Sequence, residues 1–289
     1  MIDDLLSFKA VVDEGSITSA TKKLHITQPA LTKKLQKLEK KLNTELLIRT
    51  NKGVELTAEG ELVYDHASKI AQSWSNLNRK MEYNQNKSLT IKFGMIDNIA
   101  LSLQDNFYKK LSEKLDRIDL HVKIHNSTRL VDSVRNGHLD LAIITRPNKL
   151  HDELSYSFFH KESFKIVANP TIAKAINNKN DLEKISFASY NEESNTHKHI
   201  ATILKENDLK IKYKIFSTSP EFLIKMVINN NYVAVLPENL TKEYIKDNSL
   251  SLIEFNDMTF DRELVLIHNK DTFLTSELGY FIDEIKESI

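Results

Sequence analysis

The chain has 289 residues, more than a typical single domain, so two or more compact units are expected. Its 40 basic residues balance its 40 acidic residues, and the absence of cysteine excludes disulfides, thiolate nucleophiles and Cys-ligated zinc. No apolar run approaches the roughly 20 residues of a membrane helix, and the first residues are acidic rather than a basic signal peptide. We therefore expect a cytoplasmic protein. Lysine greatly exceeds arginine, which is typical of an AT-rich bacterial genome.

After a first helix over about residues 2–14, the sequence predicts two short helices joined by a tight turn. Ser16 is a natural N-cap for the helix that follows, and residues 25–26 break that helix. Thr27 caps the next helix, with Pro29 in its first turn, where a missing N–H costs little. Spacings of four, three and four give this second helix one apolar face, made of Leu31, Leu35, Leu38 and Leu42.

A basic hairpin is predicted directly after these helices. Residues 45–50 and 54–57 are predicted strands, separated by a turn-type cluster at 51–53. Between Thr21 and Lys52 there are nine Lys and Arg against two Glu, a local excess of seven positive charges. Such a cluster attracts DNA phosphates, whereas the plainer alternative is a solvated lysine face. The capped turn and the hairpin favour a winged helix-turn-helix that binds DNA.

Over about its first 60 residues the chain closely resembles the DNA-binding domain of LysR-type transcriptional regulators. The resemblance is carried by residues 15–20, 24–32, 38–39, 47–50 and 56–60. It implies a winged helix-turn-helix domain over residues 1–58 and a homodimer, or a tetramer, that reads two half-sites of double-stranded DNA. RNA polymerase is a further partner that such a regulator would contact. Two departures from the family pattern are Thr21 and Asn43, and Asn tolerates the left-handed C-cap almost as glycine does.

Two kinds of DNA contact are expected from this domain. Side chains at the start of the second helix would face base edges or the groove wall, and Gln28 is the best candidate for reading a base directly. Basic side chains would contact phosphate. The predicted DNA-binding residues, around a helix-turn-helix at about Thr18 to Lys37, are Ser16, Thr27, Gln28, Pro29, Ala30, Thr32, Lys33, Lys37, Arg49 and Lys52.

A long helix is predicted from the Thr57 cap to about Asn84. It would span about 40 Å at ~1.5 Å per residue, which is too long to be covered by the small domain before it. Its apolar residues alternate spacings of four and three, a heptad seam formed by Val63, Ala67, Ile70, Trp74, Leu77 and Met81. We predict that the seam mediates dimerisation, a role that the resemblance also implies, and an intramolecular packing face is the alternative. Segment 59–88 would be linker and hinge.

Strands and helices alternate beyond residue 88, which predicts parallel sheets with helices on their faces. Two α/β lobes are the economical interpretation, lobe I over about 89–163 and 263–289 and lobe II over about 164–262. The resemblance implies that residues 89–289 form an effector domain like a type 2 periplasmic binding protein, with a small molecule between the lobes. The predicted fold class is therefore α/β, preceded by an all-α winged helix-turn-helix and a linker helix. One of its helices is predicted over about 99–115.

A ligand of such lobes binds beyond the carboxyl ends of parallel strands, where helix N-termini offer free N–H groups. The predicted junctions are rich in hydroxyl and amide side chains, which either cap helices or bind a polar ligand. Arg146 is the leading partner for an anionic ligand, with a surface ion pair as the alternative. Asp97 would repel an anion, so it binds an amine or pairs with Arg146. The predicted effector-binding residues are Asp97, Asn98, Ser127, Thr128, Thr145, Arg146, Asn195, Thr196, Ser217 and Thr218.

Known catalytic and cofactor motifs are missing from the sequence. It has no glycine-rich phosphate loop, no G-x-S-x-G and no H-E-x-x-H, so we predict no catalytic residue and no cofactor. The pairs His121 with His125 and His197 with His199 lack a carboxylate or Cys at ligand spacing, so no metal site is predicted. The leading hypothesis is a ligand-responsive transcription regulator that is not an enzyme. The alternative is a solute-binding or enzymatic two-lobed protein whose N-terminal unit serves only for assembly.

Overall fold

The computed structural model describes residues 2–50, 53–84, 88–103, 107, 109, 118–255, 257–272 and 274–288. The chain forms two compact units. The first comprises residues 1–87 together with the short segments 135–138 and 271–273. The second comprises residues 88–134, 139–270 and 274–289.

The first unit begins with three helices and a two-stranded wing. The helices are α1 (Ile2–Glu14), α2 (Ile17–Leu24) and α3 (Gln28–Leu42), and the wing pairs β1 (Leu47–Thr50) with β2 (Gly53–Leu56) in antiparallel register. Their shared core contains Phe8, Val11, Ala20, Leu31, Leu35, Leu38 and Leu46. The predicted leucine stripe is buried except at its end, because Leu42 is the last residue of α3 and lies exposed beyond that core.

The wing lies against the start of the helix-turn-helix through glycine backbone. Gly53 has φ 137°, a conformation that L side chains rarely adopt, and Val54 N donates a hydrogen bond to Gly15 O at 3.0 Å. A Cβ added at Gly53 would lie 2.2 Å from that same carbonyl oxygen. Any side chain at residue 53 would therefore push the wing away from the helices.

The linker helix α4 covers Ala58–Asn84. The Thr57 hydroxyl caps it by accepting a hydrogen bond from Gly60 N at 2.9 Å, as predicted. The predicted seam divides into two parts: Val63 packs against the core of the first unit and Ala67 is fully buried, whereas the later seam residues are exposed. These exposed residues are Ile70, Trp74, Leu77 and Met81. The predicted hinge at 83–88 falls partly outside the described residues.

A buried carboxylate, Asp13 of α1, ties together distant parts of the first unit. It accepts hydrogen bonds from Tyr64 Oη at 2.6 Å and Lys9 Nζ at 2.7 Å, and His138 Nε2 lies 2.9 Å away. Burial alone would raise the pKa of Asp13, but these three partners outweigh it and lower the pKa to about 2. The ionised carboxylate is thus part of the packing of α1, α4 and the segment 135–138.

The second unit contains two five-stranded sheets, each forming the centre of one lobe. The first sheet has the order β4-β3-β5-β12-β6, in which β3 runs parallel to β4 and β5, and β12 runs antiparallel to β5 and β6. Its elements in chain order are β3 (Leu89–Met95), α5 (Asp97–Ser102), β4 (Ile118–Ile124), α6 (Ser127–Arg135), β5 (Leu141–Thr145), β6 (Leu154–Glu162), β12 (Arg262–Asn269) and α11 (Ser276–Glu287). Most of the predicted helix at 99–115 lies outside the described residues.

The second sheet has the order β11-β7-β10-β8-β9, with β8 parallel to β9 and β10. Its elements are β7 (Phe164–Ala168), α7 (Pro170–Ala175), a 3-10 helix (Lys179–Lys184), β8 (Ser186–Tyr190), α8 (Asn195–Glu206), β9 (Lys212–Ser217), α9 (Pro220–Asn229), β10 (Tyr232–Pro237), α10 (Glu238–Lys246) and β11 (Ser251–Ile253). The chain crosses between the sheets twice, from β6 to β7 and from β11 to β12. The predicted α/β class is confirmed, and each lobe has its own buried core.

Candidate nucleic-acid interface and ligand cleft

Capping hydrogen bonds fix the turn between α2 and α3. The Ser16 hydroxyl accepts from Ser19 N at 3.1 Å, and the Thr27 hydroxyl accepts from Ala30 N at 3.4 Å. His25 ends α2 in the left-handed conformation at φ 52°. Both predicted N-caps are therefore present, and the chain reverses direction within three residues before α3 begins.

The start of α3 presents an exposed face. Thr27, Gln28, Pro29 and Ala30 are all exposed, whereas Thr32 and Ser16 are half-buried. An exposed amide side chain in the first turn of a helix is the geometry that reads a base edge in a major groove. These side chains carry no charge, so phosphate contacts must come from the basic residues around them.

The predicted phosphate-binding residues differ in their surroundings. Lys37 Nζ lies 3.2 Å from Asp4 of α1, and the neighbouring Lys34 pairs with Asp3. Lys33 is exposed and forms no ion pair with a described residue. Arg49 is exposed on β1, and Lys52 lies outside the described residues. Lys33 therefore has the fewest competing interactions of the described lysines predicted to contact phosphate.

The second unit contains a cleft of about 650 Å³ between its two sheets. Nine of the ten predicted effector-binding residues line it, drawn from the ends of β3, β4, β5, β8 and β9. They are Asp97, Asn98, Ser127, Thr128, Thr145, Asn195, Thr196, Ser217 and Thr218. Arg146 is not among the lining residues. Its Nη1 lies 3.5 Å from Glu263 Oε2, so the side chain forms a surface ion pair, which was the alternative to ligand binding.

Several hydroxyl groups at the cleft are already used in capping and packing. Ser194 Oγ accepts from His197 N at 3.0 Å, and Ser217 Oγ accepts from Ser219 N at 3.1 Å. Ser127 Oγ accepts from Thr145 N at 3.2 Å. Each hydroxyl keeps its own hydrogen for donation, so capping and ligand binding are compatible at these residues.

The floor of the cleft holds an ion pair between the two crossover segments. Glu162 accepts from Arg262 Nε at 2.6 Å, and Arg262 Nη1 donates to Thr196 Oγ1 at 2.5 Å. The other Glu162 oxygen accepts from Asn98 Nδ2 at 3.1 Å, and the guanidinium lies 4.6 Å from the Phe164 ring centre. Both charged side chains are almost fully buried, so they depend on each other for compensation. This network joins α5 of the first lobe to α8 of the second.

Asp97 and Tyr190 are polar residues of the cleft whose side chains form no hydrogen bond with a described residue. Asp97 forms no hydrogen bond or ion pair with a described residue, and burial raises its pKa while nearby His125 lowers it in part. The Tyr190 hydroxyl is buried beside the Asn98 side chain and forms no hydrogen bond of normal geometry with a described residue. Burial also raises the pKa of Tyr190, so its phenol stays a neutral donor.

The lining residues that were not predicted from the sequence include Tyr190, Arg262, Arg129 and Glu193. Tyr190 is the last residue of β8, and the rule that ligands meet strand ends could have found it. Arg262 begins β12, an antiparallel strand to which that rule does not apply.

The histidines of the predicted pairs make contacts other than metal ligation. The described part of the chain contains no group of three or more His, Cys, Asp or Glu side chains that could hold a metal ion. Within that part, His197 instead contacts Ser189 Oγ at 2.8 Å, and His199 Nε2 contacts Asp261 O at 3.0 Å. Among the described helices, none is long and apolar enough to cross a membrane.

Comparison with known families matches nearly the whole chain. Residues 2–61 match the bacterial regulatory helix-turn-helix model of the lysR family, and residues 84–289 match the LysR substrate binding domain. The chain belongs to the LysR family of transcriptional regulators. This LysR-family chain is a DNA-binding regulator with an effector-binding domain, and the family consists of regulators rather than enzymes. The alternative of a solute-binding or enzymatic protein is not supported.

Relatives and solved structures agree over the full length. The chain is 25% identical over 298 residues to a probable RuBisCO transcriptional regulator of Phaeodactylum tricornutum, covering 99% of this chain and 96% of the relative. It is also 25% identical to the HTH-type transcriptional regulator YofA of Bacillus velezensis, covering 98% and 96%. Full-length OxyR from Pseudomonas aeruginosa has a TM-score of 0.75 at 20% identity, covering 100% and 94%. CbnR complexed with target DNA has a TM-score of 0.61 at 14% identity, covering 100% of both chains.

Proposed function

We propose that this LysR-family chain works as a homodimer, or a dimer of dimers, whose paired α3 helices read two related DNA half-sites. The observation that carries this is the start of α3, where uncharged side chains are exposed beside a local excess of lysine. Gln28 reads a base edge, and Lys33 and Arg49 hold phosphates on either side. Such a regulator acts in the bacterial cytoplasm and affects transcription through RNA polymerase.

The exposed part of the α4 seam supplies the dimer contact in this proposal. Ile70, Trp74, Leu77 and Met81 form an apolar stripe along one face of a 27-residue helix. Such a stripe is costly to leave in water, and a second copy of α4 buries it at heptad spacing. The pairing also sets the distance between the two α3 helices, and therefore the spacing of the half-sites.

The cleft of the second unit is the effector site in this proposal. Its volume of about 650 Å³ is within the range of small-molecule sites, and it is lined by strand ends and helix starts. The Glu162 and Arg262 network joins the two lobes at the cleft floor. A molecule that contacts both lobes there would favour one relative orientation of the lobes over others. Binding there is how effector concentration would reach the DNA-binding unit.

The division of labour on DNA can be tested with two variants and a salt series. Gln28→Ala should reduce the ratio of the affinities for a preferred fragment and for random DNA by about 5- to 150-fold, because one good base contact is worth about 1–3 kcal/mol. Lys33→Ala should weaken both DNAs equally and lower the salt slope by about one. Fluorescence anisotropy at several salt concentrations measures both quantities. If the two variants lose discrimination to the same extent, the assignment of Gln28 to base reading is wrong.

A further inference from the structure

We propose that the effector is a zwitterion of amino-acid type, whose ammonium group pairs with Asp97 and whose carboxylate lies at the first turns of α6 and α8. The inference deepens the proposed function, since it rests on the cleft being the effector site. It names the chemical class of the ligand from the charges and free hydrogen-bonding groups that line the cleft.

Asp97 supplies the first argument, because its carboxylate forms no hydrogen bond or ion pair with a described residue and the nearby His125 offsets the effect of its burial only in part. It is the first residue of α5, lines the cleft and is partly removed from water. A carboxylate that is desolvated and unpaired is costly, and a cationic donor from a ligand removes that cost. An ammonium group provides both the charge and up to three hydrogens.

None of the described arginines at or near the cleft forms an ion pair with Asp97. Arg262 is engaged with Glu162 and Thr196, and Arg146 pairs with Glu263 outside the cleft. Arg129 lines the cleft but forms no ion pair with a described residue, so its guanidinium is available to an anion. The cleft thus holds a half-buried acid, Asp97, and a cation, Arg129, neither of which forms an ion pair with a described residue, and this matches a ligand carrying both charges.

Backbone N–H groups at two helix starts provide the second half of the site. In α6, the Asn126 side chain accepts from Arg129 N, so the N–H groups of Ser127 and Thr128 remain free. In α8, the Ser194 side chain accepts from His197 N, so the backbone N–H groups of Asn195 and Thr196 are available to a ligand. Helix N-termini favour a carboxylate.

An independent polar group points to a ligand at the same place. Tyr190 is only 6% exposed, and its hydroxyl has no hydrogen-bond partner in the described structure although the residue lines the cleft. Buried hydroxyls normally find a partner. A carboxylate oxygen that enters the cleft would accept this hydrogen bond, as it would those of the helix N–H groups.

Ligands with a single kind of charge fit the cleft less well. A dicarboxylate would place negative charge in the cavity that holds Asp97, with the rim residue Glu193 adding to the repulsion. A simple amine would satisfy Asp97 but leave Tyr190, Arg129 and the helix N–H groups unused. A neutral sugar would use the donors but leave Asp97 without its counterion.

The test uses the full-length protein and the twenty protein L-amino acids as individual probes in thermal-shift and calorimetric titrations. At least one should bind saturably, and its N-acetyl derivative and its hydroxy-acid analogue should each bind at least tenfold more weakly. Asp97→Asn should weaken binding of the amino acid at least tenfold. Glu193→Gln removes the same charge from the exposed rim and should change the affinity less than threefold. Both variants should keep wild-type DNA binding without ligand, which shows that they are folded.

Three outcomes would overturn the inference: none of the twenty binds, the hydroxy acid binds as tightly as the amino acid, or Asp97→Asn binds like wild type. Binding of succinate or glucose that does not depend on Asp97 would likewise overturn it while leaving the cleft as an effector site. If instead the unliganded protein shows no preference among DNA sequences, the proposed function fails, whatever the ligand result.

Discussion

Asp13 shows how one side chain can join segments that are far apart in sequence. The sequence shows an acidic residue at the end of a helix, a position usually exposed to solvent. Its partners Tyr64 and His138 are 51 and 125 residues away, and no local pattern indicates that they meet it. Long-range pairs of this kind are found only when the chain is folded.

Removing this carboxylate should change the pH dependence of stability. The folded pKa of about 2 lies below the ordinary value of 3.8 for an aspartate, so ionised Asp13 stabilises the fold above about pH 4, and this contribution is lost as the pH falls toward 2. Asp13→Asn should lower the free energy of unfolding by about 1–2 kcal/mol at pH 7 and flatten its fall between pH 4 and 2. Urea unfolding followed by the fluorescence of Trp74, the single tryptophan, reports on this unit.

Glu14→Gln is the matched control, since the ion pair that Glu14 makes with a described residue is a solvent-accessible bridge to Lys23 on the neighbouring helix. It should stay within about 0.5 kcal/mol of wild type at both ends of the pH range. Equal pH profiles for Asp13→Asn and wild type would mean that the buried contacts of Asp13 do not stabilise the unit.

Some cleft residues could be predicted from local sequence patterns, whereas others come together only through long-range contacts. Asp97, Ser127, Thr196 and Ser217 were predicted because strand ends and helix starts are recognisable from periodicity and capping chemistry. Glu162 and Arg262 were not predicted, since they lie 100 residues apart and meet only where the two crossovers pass side by side. Arg146 was predicted as an effector ligand by its position after β5, but its side chain extends to Glu263.

At the scale of elements, α4 was the clearest prediction, because capping and heptad spacing agree over 27 residues. The seam was nevertheless predicted as uniform, whereas Ala67 is already fully buried in the single chain and Ile70, Trp74, Leu77 and Met81 are exposed. Periodicity shows that a face is apolar but not which surface covers it. Strand β6 was not predicted, because polar residues interrupt its alternation, and helices α7 and α10 were not predicted, because with 6 and 9 residues they are too short to show a clear helical period.

The exposed part of the seam should control dimerisation. Trp74 is 59% exposed on the seam, while Leu62 is 62% exposed and lies about 120° around the helix from Trp74. Trp74→Ala should weaken dimerisation at least tenfold, because large aromatic residues carry most of the energy of such interfaces. Leu62→Ala should change it less than threefold. Sedimentation equilibrium measures both constants, and similar values for the two variants would show that the seam is not the interface.

At the scale of the whole molecule, alternation of strands and helices was enough to predict the α/β class. Buried parallel strands such as β5 are short continuous apolar runs, and the glycines and polar residues between them mark the turns. The sequence could not show that the strand order places Met95, Ile124 and Thr145 at the same edge of one sheet. That placement, rather than any single motif, turns scattered Ser, Thr and Asn residues into one cleft.

The most direct test of the central claim is selection of genomic DNA fragments by the purified full-length protein at near-physiological salt. We expect enrichment of one motif made of two related half-sites at a fixed spacing, because the paired α3 helices are held apart by α4. We also expect the enrichment to change when the amino acid that binds the cleft is added. Uniform, salt-sensitive binding with no motif would contradict the claim, since it would reduce the helix-turn-helix to a basic patch.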